Sequence, residues 1–154
     1  MKKWGIVVPV VFAAIFIGAL AGFQPTGSVA GNGQKITVYK SQACGCCVSY
    51  IVELKRQGYT VETIDMADVG PIKKQYGIPA GMESCHTSVM DGYVIEGHVP
   101  MEAIAKLAAE KPALSGIALP GMPAGSPGMP GRKTGLFQIM GIKDGKTMGL
   151  FMAG

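Results

Sequence analysis

Residues 35–58, KITVYKSQACGCCVSYIVELKRQG, change period halfway and carry three of the four cysteines at the change. Residues 35–39 alternate and are β-branched, which reads as a strand. From residue 48 to 57 the apolar Val48, Ile51, Val52 and Leu54 keep helical spacing, and Gly58 supplies a stop. Working outward, residues 59–64 alternate again as a second strand. Asp68 reads as the N-cap of a short helix to Tyr76, with Pro71 tolerated in its first turn and Gly77 ending it. Residues 85–90 and 93–96 read as two strands joined at Asp91-Gly92, a strong hairpin signal. Pro100 opens a helix to about Glu110, with Ile104, Leu107 and Ala108 on one face. The order β-α-β-α-β-β-α predicts a small α/β domain whose first two strands are parallel through a crossover helix and whose last two form a hairpin.

The chain has 154 residues, which suits one domain with short appendages and excludes a multidomain enzyme. Charged residues make up 16% and hydrophobic residues 48%, so part of the apolar excess sits in one place. That place is the amino end: Lys2 and Lys3 precede an uncharged run from residue 4 to 23, and Ser28-Val29-Ala30 offers a small-residue exit. This is the layout of a secretory signal peptide over residues 1–30, with an uncleaved membrane anchor as the competing reading. Either way the remainder leaves the cytoplasm. The net charge of +4 includes Lys2 and Lys3, so the remaining chain carries +2, too sparse a basic footprint for a nucleic-acid binder.

Residues 111–132 hold five Pro and five Gly, a density of breakers that predicts a loop without regular elements. Residues 136–152 have apolar runs on both sides of Lys143-Asp144-Gly145-Lys146, a second hairpin expected to pair with an edge of the main sheet or with a partner.

Four thiols in an exported chain ordinarily mean two disulfides. Here every pairing needs a bridge inside Cys44 to Cys47, and only Cys44–Cys47 with Cys46–Cys85 is geometrically comfortable. So short a loop stabilises little, which leaves a purely structural role as a poor account of the cluster. At a helix start the positive end of the dipole favours thiolates. Cys44, Cys46 and Cys47, with Cys85 in reach, make a compact set for Cu(I), zinc or another thiophilic metal. Structural zinc usually takes its ligands two and two; three plus one suits a polynuclear Cu(I) thiolate cluster, in which bridging sulfurs serve several ions. The second reading is dithiol redox exchange. Cys44 and Cys47 have the C-x-x-C spacing of thioredoxin-like proteins, and Gly77-Ile78-Pro79 stands where that fold places its cis-proline.

Cys44-Gly45-Cys46-Cys47, Gly77-Ile78-Pro79, Ser84-Cys85-His86-Thr87, the segment 92–100 (GYVIEGHVP) and the segment 120–129 (PGMPAGSPGM) together resemble the DUF411 family of exported, CopG-like copper-resistance proteins. The resemblance covers residues 35–129. It implies a thioredoxin-like fold in the periplasm, copper as cargo, Cys44, Cys46, Cys47 and Cys85 as ligands of a Cu(I) cluster, and redox chemistry linking copper and thiols. The partners it implies are copper ions and other periplasmic copper-handling proteins, with membrane contact only through a retained leader. The composition and element pattern, independently of the resemblance, divide the chain into a thioredoxin-like metal-binding domain over residues 31–112, a Pro/Gly/Met-rich loop over 113–133 and the hairpin over 134–154. A metal-binding protein is the leading reading and a thiol-disulfide oxidoreductase using Cys44 and Cys47 the alternative.

His86 neighbours Cys85, but adjacent strand residues point to opposite faces, so it reads first as a hydrogen-bonded surface residue and second as an outer ligand. His98, beside Gly97 and Pro100, reads as a turn-fixing or helix-capping residue. Two histidines exclude a histidine-rich copper(II) site. Met66, Met90, Met101 and Met140 fall in apolar periods and read as core fillers. Met122 and Met129, in the Pro/Gly loop, and Met82, just before Cys85, are secondary candidates as soft thioether ligands. No paired carboxylates, catalytic triad, P-loop or dinucleotide-binding pattern is present.

Overall fold

In the computed structural model, which describes residues 31–154, the opening alternation becomes β1 (Lys35–Ser41), with Ile36, Val38 and Lys40 buried on one face. The leader expected at residues 1–30 and its cleavage after Ala30 lie outside the described residues. No helix among the described residues is long and apolar enough to cross a membrane.

Helix α1 (Gly45–Arg56) starts three residues before the apolar period suggested, so its inner face is Cys47, Tyr50, Ile51 and Leu54, the i, i+3, i+4, i+7 stripe. Val48 and Val52, read from sequence as part of that face, are each half exposed. The chain returns as β2 (Thr60–Met66), parallel to β1. Helix α2 is only Gly70–Gln75, with the Gly70 N–H donating to Asp68 Oδ1 at 2.8 Å. No cis peptide occurs among the described residues, so Pro79 does not play the cis-proline part; it opens a 3₁₀ turn, Ala80–Met82. Strands β3 (His86–Met90) and β4 (Tyr93–Glu96) form the expected hairpin, with Asp91 and Gly92 both at positive φ as a two-residue turn requires. Helix α3 is Met101–Glu110.

The Pro/Gly-rich region departs from expectation. Gly116–Ala118 forms β5, parallel to β4, because breakers flank those three residues without falling within them beyond Gly116. Strand β5 in turn receives the C-terminal hairpin, β6 (Gln138–Lys143) and β7 (Lys146–Ala153). One mixed seven-stranded sheet results, in the order β2-β1-β3-β4-β5-β6-β7, and the described residues form a single α/β domain.

Partners across the register share a face. Val38, Ser88, Ile95 and Ile117 point one way, into the main core, where α1 and α3 contribute Tyr50, Leu54, Ile104 and Leu107. Thr87, Glu96, Ala118 and Met140 point the other way, where Ile78, Val94, Ala118 and Ile142 form a smaller cluster with Tyr76 and Met82.

Candidate metal centre

Strand β1 ends one tight turn before α1, so the helix begins within the cysteine cluster. Cys44 is the N-cap residue, its N–H donating to Ser41 O at 3.1 Å and its carbonyl accepting the Val48 N–H at 3.3 Å. Cys46 and Cys47 sit in the first turn; Cys47 is fully buried and Cys46 half-buried. Cys44 and Cys47 are joined by a disulfide, with Cα atoms 5.3 Å apart, while Cys46 and Cys85 are free thiols.

Cys85 lies between the 3₁₀ turn and β3. Its sulfur is 3.6 Å from Cys47 Sγ and 3.8 Å from Cys46 Sγ, and Cys46 Sγ is 3.5 Å from Cys44 Sγ. All four sulfurs lie within 4.8 Å of one another. The convergence that sequence spacing alone could only anticipate is therefore present, with half of the set oxidised.

The structure corrects the reading of both histidines. Cys85 precedes the regular part of β3, so strand alternation does not separate it from His86, whose Nδ1 is 3.4 Å from the sulfur. His86 is completely buried, not on the surface, and packs against Tyr50 with the ring centroids 4.6 Å apart and the planes tilted by 43°. His98 is also completely buried; its Nε2 lies 3.0 Å from Cys85 Sγ and its Nδ1 2.7 Å from Pro127 O. A carbonyl only accepts, so Nδ1 carries the proton and donates, and Nε2 is left with a lone pair aimed at the sulfur. That backbone-anchored tautomer is how ligating histidines are usually held. Cys85, His86 and His98 form a second group whose donor atoms lie within 4.8 Å of one another.

Burial controls the charges here. It pushes the Cys85 thiol up to about 12, with the facing Cys46 adding to the rise. It pulls His86 down to about 3, helped by the His98 and Lys73 charges, and lowers His98 against the opposing pull of the Pro127 carbonyl. Both imidazoles are thus neutral donors at neutral pH.

Underneath, on the opposite face of the sheet, Lys73 from α2 pairs with Glu96, both buried. Glu96 also accepts from Thr87 Oγ1 at 2.6 Å and from the Ser84 N–H at 2.6 Å. Burial raises the Glu96 carboxyl, opposed by Lys73 and these donors. The Ser84 bond fixes the residue directly before Cys85. Two glycines allow the approach. A Cβ on Gly97, at φ +79°, would meet Ser84 side-chain atoms at 2.7 Å; one on Gly128, at φ +80°, would meet Tyr50 N at 2.6 Å and Cys46 O at 2.9 Å. The Pro/Gly loop therefore packs on the first turns of α1 and delivers Pro127 O to His98.

The methionines scatter. Met82 packs on the α2 face with Ile78, Val94, Ala118 and Ile142. Met122 is about half exposed, and Met129 is half-buried beside Gly128, its N–H donating to Ser126 O at 2.8 Å. Met90 and Met101 are core residues as expected, whereas Met66 and Met140 are only half-buried.

The class is that of an α/β sheet domain whose first helix starts in a compact group of sulfurs beside two buried imidazoles, a donor set that could hold a metal ion. Residues 82–129 match the family described as "Protein of unknown function, DUF411". Two solved structures of a copper resistance protein CopG, forms 2 and 1, are each 39% identical to the chain, covering 79% of it and 98% of their own length, with TM-scores of 0.73 and 0.72. No curated protein matches. The chain belongs to the DUF411, CopG-like family.

Proposed function

We propose that the protein is an exported Cu(I)-binding protein of copper tolerance, working in the periplasm, and that it holds copper through Cys44, Cys46, Cys47 and Cys85. One observation carries this reading: Cys85 Sγ lies within 3.8 Å of the sulfurs of both Cys46 and Cys47 and 3.0 Å from His98 Nε2. Four sulfurs that close can be shared by several Cu(I) ions, and thiolates with imidazole select soft copper over harder divalent ions; zinc fits less well. The site loads only after the Cys44–Cys47 bond accepts two electrons and two protons from a thiol reductant, and each thiol then releases its proton to the solvent as it ligates.

Anaerobic titration of fully reduced protein with Cu(I), against a competing chelator, tests this. The expected result is more than one tightly held copper per chain, lost together in Cys46→Ser or Cys85→Ser. Failure to compete with the chelator overturns it. The disulfide itself favours one second reading, a thiol-disulfide oxidoreductase using Cys44 and Cys47. Insulin-reducing activity retained in both variants, without copper retention, would decide for that reading.

A further inference from the structure

We propose that Met82 and Met140, with Met122 at the rim, form a separate thioether site for a soft monovalent cation, Cu(I) or Ag(I), on the sheet face opposite His86. The proposal takes its cargo from the copper reading above, but its ligands and its test are independent of the cysteines.

Met82 and Met140 come from distant parts of the chain and line the same cavity on the Ala118 face of the sheet. Met140 is the register partner of Ala118, and Met82 packs on the cluster that contains Ala118. Both line one cavity of about 390 Å³, walled by Leu119, Pro120, Pro123 and Phe137. Unlike Met90 and Met101, which are consumed by the core, these two methionines are half-buried and face open space. Met122 stands in the chain between two of the wall residues, Pro120 and Pro123; it is 51% exposed and does not itself line the cavity, so it joins the site only as an outer donor. The lining includes no carboxylate, imidazole or thiol. A hard or divalent ion therefore finds no charge-neutralising ligand, whereas a thioether set in an apolar wall suits Cu(I) or Ag(I). The cavity also adjoins the thiol centre through backbone: Ser84 Oγ donates to Gly121 O at 2.7 Å, and Ser84 is the residue before Cys85. A cation held here is a short distance along the chain from the sulfurs.

The test uses the full chain carrying ¹³C-methyl methionine, titrated with Ag(I), in two forms: reduced wild type and Cys46→Ser/Cys85→Ser. The methyl signals of Met82, Met140 and Met122 are expected to move in both forms, while that of Met148, about half exposed on β7, stays. Met82→Leu/Met140→Leu, which conserves volume and leaves the fold intact, should remove one bound Ag(I) per chain and still the Met122 signal. Signals of Met82 and Met140 that stay put throughout loading overturn the site, as does an equal movement of Met148. Methyl shifts in both forms without copper retention by the wild-type thiols support this site and sink the copper-thiolate reading; retention without methyl shifts does the reverse.

Discussion

Cys85 owes its surroundings to a residue without a side chain and to one whose tautomer is fixed. Gly97 has no Cβ where one would strike Ser84 and the Leu119 carbonyl, and it sits in the left-handed region as well. Gly97→Ala should therefore cost more than about 1 kcal/mol, visible as a lowered thermal midpoint; an unchanged midpoint would show that the turn before His98 is slack. His98 keeps its proton on Nδ1, donates it in a hydrogen bond to Pro127 O, and so offers the Nε2 lone pair to the sulfur. His98→Ala is expected to weaken Cu(I) binding about ten- to a hundredfold, the range typical of groups that orient or complete a metal site. Chelator competition measures it, and wild-type affinity in the variant would remove His98 from the centre.

Among the elements, the β3–β4 hairpin is the most legible from sequence. Asp91-Gly92 fixes a two-residue turn, hence Met90 opposite Tyr93 and Thr87 opposite Glu96; the pairing ends there, and Gly97, at positive φ, turns the chain so that His98 meets Cys85 outside the strand register. The meeting of the lone cysteine with the second histidine is therefore not legible in the hairpin signal, and the local neighbours of His98, Gly97 and Pro100, point only to a turn residue. The α1 face is only partly legible: a stripe of aliphatic residues starts at Val48, whereas the helix buries Cys47 as fully as Leu54, because a cysteine packs as a small hydrophobe. The Lys73–Glu96 pair was not legible, since no local pattern links a lysine on a six-residue helix to a glutamate on a strand. Lys73→Met leaves Glu96 buried and uncompensated and should cost about 3–5 kcal/mol in urea unfolding. Adding Glu96→Gln, which keeps a neutral acceptor for the Ser84 N–H, should recover much of that loss. A double variant no more stable than the single one would mean that the pair is not what holds this loop.

For the molecule as a whole, the C-terminal segment is where sequence and structure met least completely. Its hairpin was readable from Asp144-Gly145, now both at positive φ, but its attachment was not, because the three-residue strand β5 that receives it is hidden among prolines and glycines. Once attached, the hairpin is part of the core: Ile139 and Ile142 are fully buried and Phe137 nearly so. At about 1.5–3 kcal/mol for each such side chain, these three account for about 5–9 kcal/mol. That is comparable with the whole stability of an ordinary domain, about 5–15 kcal/mol. The loop between β5 and β6 carries Pro127 and Gly128, so the hairpin also anchors the carbonyl that orients His98 and the backbone that packs on Cys46. Ending the chain after Gly135 should therefore abolish cooperative unfolding and, with it, copper retention against the chelator, even though every cysteine and histidine remains. A truncated chain that unfolds cooperatively at the wild-type midpoint would show that the first five strands are self-sufficient. One that keeps that midpoint but loses copper would locate the hairpin's role in the centre alone.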